Sequence, residues 1–187
     1  MKELPRILIV EDKSTDADLA KYIIRKVLKD CEFQVVETRQ DFLNALELFQ
    51  PDLILSDYSL PRFDGMKALK LALEHTPLTP LIIWTGSISE DVAVECMKAG
   101  ANNYILKDNI KRLGPALIHA LEERQLLLER KQAEEALQNN EKRFRALIEN
   151  GLDNISLLKV DGTLIWESPA AIRMLGYAPD EFVGYDI

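Results

Sequence analysis

Residues 7–12 read Ile-Leu-Ile-Val-Glu-Asp, a short apolar run that ends in two carboxylates. Three later apolar runs also end in polar residues: residues 53–57 (Leu-Ile-Leu-Ser-Asp), 81–85 (Leu-Ile-Ile-Trp-Thr) and 104–107 (Tyr-Ile-Leu-Lys). Such runs are typical of β-strands, and open parallel sheets place ligands at the carboxyl ends of their strands. We therefore expect the polar residues that end these runs to meet in one crevice.

Helix-patterned segments separate these runs up to about residue 113. Alternation of strands and helices indicates parallel βαβ units. With a further strand at residues 33–38, the pattern predicts an α/β fold. This fold is the flavodoxin-like arrangement, a doubly wound, five-stranded parallel sheet in the order 2-1-3-4-5. The predicted helices run from Ser14 to about Lys29, through residues 42–49 to Pro51, from Gly65, from about Ser89 to Gly100, and from about residue 112.

These runs, in this order and spacing, resemble the receiver (CheY-like) domain of bacterial two-component response regulators. The resemblance covers about the first two thirds of the chain. It implies that Asp57 is the phosphoacceptor and that Lys107 and Thr85 assist the transfer. It also implies that Thr85 and Tyr104 form a switch, in which movement of Thr85 lets the aromatic ring turn inward.

Three carboxylates in one crevice repel one another, so the predicted site needs a cation. Mg²⁺ is the natural choice because it prefers oxygen ligands. The resemblance makes Asp12, Asp57 and the backbone carbonyl of Ser59 its ligands. Glu11 stands where Asp is commoner and would bind the metal directly or through water. With Lys107, the formal charges of the three carboxylates and Mg²⁺ sum to zero, so a phosphoryl donor can approach.

The expected function is phosphoryl transfer from a phosphohistidine to Asp57. The partner would be a histidine kinase or a histidine phosphotransfer protein. We expect no enzymatic activity beyond the protein's own phosphorylation and dephosphorylation. Two alternatives stay open: a receiver fold used as a phosphorylation-independent scaffold, and a Mg²⁺-dependent phosphatase with an aspartyl nucleophile. The phosphatase would need a second acid two residues after Asp57, where Ser59 stands.

The chain after the receiver pattern changes character twice. We predict a receiver at residues 1–114, a helical linker at 115–149 and a truncated α+β PAS domain at 150–187. The linker lacks Gly and Pro between Pro115 and Gly151 and is rich in Leu, Glu, Gln, Arg and Lys. Its length favours a coiled coil, and a parallel homodimer is preferred over a helix folded back on the receiver.

The predicted PAS fragment rests on a hairpin signal and a short helix. Strands on either side of Asp161-Gly162 indicate a β-hairpin, and Ser168-Pro169 opens a short helix. A turn is predicted at residues 179–184. The remaining strands of a PAS sheet do not follow, so we expect a fragment of a larger protein whose output lies elsewhere.

Composition excludes several other classes of protein. The net charge of −8 disfavours nonspecific binding to nucleic acid or to anionic membranes. Cys31 and Cys96 have no metal-binding or redox spacing, so we expect free thiols. No apolar run approaches the roughly 20 residues that a membrane span requires. A cytoplasmic location is therefore predicted.

Overall fold

The computed structural model describes residues 4–61, 63–86, 89–151 and 153–176. Contacts divide the chain into two compact units, Met1–Glu129 and Arg130–Ile187. The strands of the first unit are β1 (Arg6–Val10), β2 (Glu32–Val36), β3 (Leu53–Ser56), β4 (Leu81–Thr85) and β5 (Asn103–Leu106). They form one parallel sheet in the order β2-β1-β3-β4-β5, which confirms the predicted flavodoxin-like topology.

Helices cover both faces of this sheet, as a doubly wound fold requires. They are α1 (Ser14–Val27), α2 (Arg39–Asn44), α3 (Gly65–His75), α4 (Glu90–Lys98) and α5 (Ile110–Asn150). A π-helical turn, Ala45–Phe49, continues α2 and ends before Pro51. The sequence also favours Ser14 as the N-cap of α1, but Ser14 is its first residue, and Lys13 holds the N-cap position without a side-chain hydrogen bond.

Alternate residues of each strand point to opposite faces, and this divides the core in two. Leu8 and Ile54 pack on one face with the buried residues of α2, α3 and α4. Ile9 and Leu55 pack on the other face with those of α1 and α5. Both faces of the central strands are therefore buried, and the strand ends are left as the accessible edge of the sheet.

The helix α5 begins at Ile110, two residues before the predicted start near 112. Leu113, Leu117 and Ala120 are buried in the core that α5 shares with α1. The packing of the first unit therefore extends past residue 114, where the sequence suggested a boundary. The helix continues to Asn150, so the predicted long helix is confirmed.

The second unit contains a small antiparallel hairpin. Its strands are β6 (Ser156–Leu158) and β7 (Leu164–Glu167), and α6 (Ala170–Leu175) follows. The hairpin and short helix agree with the sequence pattern, whereas assignment to the PAS family stays a prediction. The predicted turn at 179–184 lies outside the described residues. In the part of the chain that the structure describes, no helix is both long and apolar enough to cross a membrane.

Candidate functional site

The candidate site lies at the carboxyl ends of the central strands. Glu11, Asp57 and Lys107 each come directly after a strand, and Thr85 is the last residue of β4. Backbone hydrogen bonds join these ends: the Asp57 N–H donates to the Val10 carbonyl at 2.9 Å, and the Lys107 N–H donates to the Thr85 carbonyl at 2.8 Å. Parallel register therefore brings these predicted residues together, as the sequence indicated.

Lys107 stands at the centre of three carboxylates. Its Nζ donates to Glu11 Oε2 at 2.6 Å, to Asp16 Oδ2 at 2.6 Å and to Asp57 Oδ2 at 2.7 Å. Its side chain is only 12% exposed. An ammonium group has three N–H donors, so this arrangement uses all of them.

Burial and hydrogen bonds have opposite effects on the pKa values of the charged residues in the site. Burial raises the pKa of Asp57, but hydrogen bonds from Lys107 and the Ser59 backbone N–H outweigh it and leave that pKa lowered. For Glu11, burial prevails over the hydrogen bond from Lys107, so its pKa is raised. Burial disfavours charged Lys107, yet hydrogen bonds to Asp16, Asp57 and Glu11 raise its pKa. Asp57 is thus held as an anion beside a protonated lysine.

Asp12 and Ser59, two predicted metal ligands, are placed differently from the lysine cluster. Asp12 follows Glu11, is half-buried, and is not one of the three acceptors of Lys107. The backbone N–H of Ser59 donates to Asp57 Oδ1 at 3.1 Å and fixes the orientation of that carboxylate. Asp57 therefore has one oxygen turned to Ser59 and the other to Lys107.

Asp16 is the residue that sequence reasoning missed. It lies in the first turn of α1, and its carboxylate groups with those of Glu11 and Asp57 within 4.8 Å. A usable signal was present: Asp16 stands one helical turn after Asp12, where a helix that leaves the end of β1 still borders the crevice.

The predicted switch residues lie close to the site. Thr85 is buried, and its hydroxyl near the Asp57 carboxylate helps to lower the pKa of Asp57. Tyr104 is half-buried and packs against the same core as Cys96 of α4. The ring is therefore neither fully enclosed nor free in solvent.

Gly65 provides a close backbone approach beneath Asp57. Its N–H donates to the Tyr58 carbonyl at 3.0 Å. A Cβ atom at this position would lie 2.8 Å from the Asp57 carbonyl oxygen and 2.8 Å from Tyr58 Cα. Asp64 caps α3 by accepting the Lys67 N–H at 2.8 Å. Glycine is thus required where α3 meets the loop that carries the phosphoacceptor candidate.

Comparison with known proteins settles the family. The sequence profile of the response regulator receiver domain matches residues 7–118, more than half of the chain. The chain belongs to the response regulator receiver family. Receiver domains are phosphorylated by histidine kinases or phosphotransfer proteins and bind Mg²⁺ at an acidic pocket.

Individual relatives agree with this family over the same region. Regulatory protein AtoC of Escherichia coli is 34% identical over 113 residues, which cover 57% of this chain and 23% of AtoC. Chemotaxis protein CheY of Listeria monocytogenes is 28% identical over 105 residues, which cover 54% of this chain and 85% of CheY. The matched part of this chain thus spans less than a quarter of the length of AtoC but most of the length of that CheY.

A solved receiver structure has the same fold. The signal receiver domain of a putative LuxO repressor protein from Vibrio parahaemolyticus superposes with a TM-score of 0.61 at 30% identity. The superposition covers 66% of this chain and 95% of that one. The shared part is therefore a whole receiver, and the remainder of this chain lies beyond it.

Proposed function

We propose that this receiver accepts a phosphoryl group on Asp57 from a phosphohistidine of a histidine kinase or histidine phosphotransfer protein. The observation that carries the proposal is the 2.7 Å contact of Asp57 Oδ2 with Lys107 Nζ at adjoining strand ends. The lowered pKa of Asp57 favours an ionised, nucleophilic carboxylate. Its partial enclosure limits water, which would hydrolyse the product.

The donor set fits Mg²⁺. Glu11 and Asp57 are buried carboxylates that share a single lysine, so negative charge remains uncompensated in the crevice. A hard cation prefers carboxylate and carbonyl oxygens. Asp12, Asp57 and the Ser59 carbonyl would hold it, with Glu11 bound directly or through water. When bound, Mg²⁺ would supply positive charge next to the incoming phosphoryl oxygens.

The transfer step is a direct displacement at phosphorus. A carboxylate oxygen of Asp57 forms the new O–P bond while the P–N bond of phosphohistidine breaks. The electron pair of that bond returns to the imidazole, and Asp57 becomes an acyl phosphate. Such transfers depend on positioning and on stabilisation of charge. Lys107 would donate to one phosphoryl oxygen and the Thr85 hydroxyl to another.

The phosphorylated receiver would signal through Thr85 and Tyr104. Movement of Thr85 towards the phosphoryl group would leave room for the half-buried Tyr104 ring to turn inward. Packing near α4 and β5 would change with it. Phosphorylation would then select between two conformations that the protein already populates and that present different surfaces.

We extend the proposal to the helix and hairpin that follow. The apolar side chains of Leu126, Leu137 and Leu147 are largely exposed on α5, which supports a parallel homodimer through this helix. The hairpin β6–β7 and helix α6 support the start of a PAS sensory module. The helix would carry the signal from the receiver to this PAS/output module. We assign the protein to the cytoplasm and expect neither nucleic acid nor membrane among its partners.

The two alternative functions have weaker support. A Mg²⁺-dependent phosphatase would need a second acid two residues after Asp57, and this chain has Ser59 there. A phosphorylation-independent scaffold would not require a buried lysine with three carboxylates around it. Phosphorylation of Asp57 explains both observations.

Incubation with acetyl phosphate and Mg²⁺, followed by intact-protein mass spectrometry, tests the proposal. We expect a gain of one phosphoryl group in the wild type and none in Asp57→Asn. Asp64→Asn is the matched control, because asparagine also caps helices and the α3 N-cap would be kept. Labelling of Asp57→Asn would contradict the assignment, and turnover of a phosphoester would favour the phosphatase.

A further inference from the structure

Asp16 has no part in the function proposed above, yet it contacts the lysine as closely as the predicted site residues do. Its Oδ2 lies 2.6 Å from Lys107 Nζ, the same distance as Glu11 Oε2. The Asp16 side chain is 27% exposed, so it stands at the outer edge of the crevice. One of the three N–H groups of Lys107 is therefore committed to α1 and not to a strand end.

Lys107 fills the middle of the three-carboxylate cluster. The oxygens of Glu11, Asp16 and Asp57 lie within 4.8 Å of one another because each contacts the same ammonium. A metal ion bound by all three would have to take the place of that ammonium. Mg²⁺ and Lys107 repel each other and are both needed for phosphoryl transfer, so they require separate positions.

We propose that Asp16 is a positioning residue for Lys107 during phosphoryl transfer. This inference rests on the proposed phosphorylation of Asp57. Mg²⁺ would draw on the negative charge of Glu11 and Asp57 and weaken their hold on the lysine. Asp16 is the remaining carboxylate partner, and it keeps the ammonium where it can meet a phosphoryl oxygen.

The placement of Asp16 on a helix suits this role. Its N–H donates to the Lys13 carbonyl at 3.1 Å, and the next residue, Ala17, is buried against the core. The backbone of this turn is therefore fixed, and the short aspartate side chain has little freedom. A rigid element holds a functional side chain more accurately than a loop does.

The experiment separates metal binding from phosphoryl transfer in the full chain. Lys107 Nζ lies 5.2 Å from the centre of the Trp84 ring, so Trp84 fluorescence reports Mg²⁺ binding beside it. Trp166→Phe removes the second tryptophan, and Asp16→Asn and Asp16→Glu are made in that background. Asp18→Asn is the matched control, because Asp18 lies on the same helix and, among the described residues, pairs only with Lys21, at 3.2 Å.

We expect Asp16→Asn to lower the rate of labelling by acetyl phosphate about tenfold at saturating Mg²⁺. The Mg²⁺ concentration for half-saturation of Trp84 fluorescence should stay within about twofold. Asp16→Glu should recover most of the rate because it keeps the carboxylate. Asp18→Asn should be labelled at the same rate as the Trp166→Phe parent protein. A merely structural role would not give this split between rate and metal affinity.

Three results would overturn the inference. The first is labelling of Asp16→Asn at the same rate as the Trp166→Phe parent protein. The second is a large rise in the half-saturating Mg²⁺ concentration with an unchanged maximal rate, which would make Asp16 a metal ligand. The third is an Asp16→Glu variant as slow as Asp16→Asn. Absence of labelling in the wild type would instead refute the phosphorylation of Asp57, so the two failures are distinguishable.

Discussion

The close backbone approach at Gly65 gives a quantitative test of how tightly the site is built. Replacing Gly65 with alanine adds a Cβ that would lie 2.8 Å from both the Asp57 carbonyl oxygen and Tyr58 Cα. Both are backbone atoms, so neither can swing away as a flexible side chain could. The same Cβ would also lie 3.3 Å from Ile83 Cδ1, on the neighbouring strand. The loop after β3 or the start of α3 must therefore move.

The expected cost follows from these contacts. Overpacking of a close-packed site costs about 1–3 kcal/mol. Alanine regains at most about 1 kcal/mol through helix propensity, and less at the first position of α3. We therefore expect Gly65→Ala to lower the free energy of unfolding by about 1–2 kcal/mol. With a urea m-value of about 2 kcal/mol/M, the unfolding midpoint should fall by roughly 0.5–1 M.

The assay is urea unfolding followed by Trp84 fluorescence in the Trp166→Phe background. Gly86→Ala is the matched control, since no atom of the described residues lies within 4 Å of a Cβ placed there. Its midpoint should change little. If Gly65→Ala unfolds at the same urea concentration as Gly86→Ala, the physical reasoning about this contact is refuted.

Three further predictions concern charge and packing. The pKa of Lys107 is raised by folding, so its stabilising effect holds below its ordinary value of 10.5 and is lost as pH rises through the folded value. The difference in unfolding free energy between wild type and Lys107→Met should therefore shrink in strongly alkaline urea titrations, and a constant difference would contradict this. Arg124→Ala breaks a half-buried 2.9 Å ion pair with Asp52 and should cost about 1–3 kcal/mol by urea unfolding. Arg130→Ala breaks an exposed ion pair with Glu134 and should cost under about 1 kcal/mol. Equal losses of unfolding free energy in Arg124→Ala and Arg130→Ala would contradict the role of burial. Leu117→Ala should destabilise the receiver by about 2–5 kcal/mol in thermal unfolding because Leu117 is fully buried. Leu48→Ala, at a receiver side chain 81% exposed, should be nearly neutral, and the reverse order would contradict the role assigned to burial.

The sequence was sufficient to predict the sheet and the convergence of three residues of the candidate site. Buried parallel strands appear as continuous apolar runs, so their number and order could be inferred directly. Because parallel register aligns the strand ends, Glu11, Asp57 and Lys107 had to converge. The sheet order and the receiver fold are confirmed. Asp16 was missed because it follows a helix start, where an acid is usually explained by the helix dipole.

The end of the receiver could not be located from composition. A boundary was predicted at Pro115 because the pattern changes there to a helical segment rich in Leu, Glu, Gln, Arg and Lys. In the structure α5 runs on from Ile110 through this point, and its apolar stripe of Leu113, Leu117 and Ala120 docks onto the core. Leucine and charged residues continue along the helix without a break, so only tertiary packing distinguishes the docked turns from the rest.

The two cysteines differ in enclosure, and this provides a built-in chemical reporter. Cys96 is fully buried on the face of α4 that packs against the core, whereas Cys31 is half-buried, and burial raises the pKa of both thiols. An alkylating reagent can reach Cys96 only when α4 lifts from the sheet. The rate of that alkylation therefore measures how often this helix opens, without any label introduced from outside.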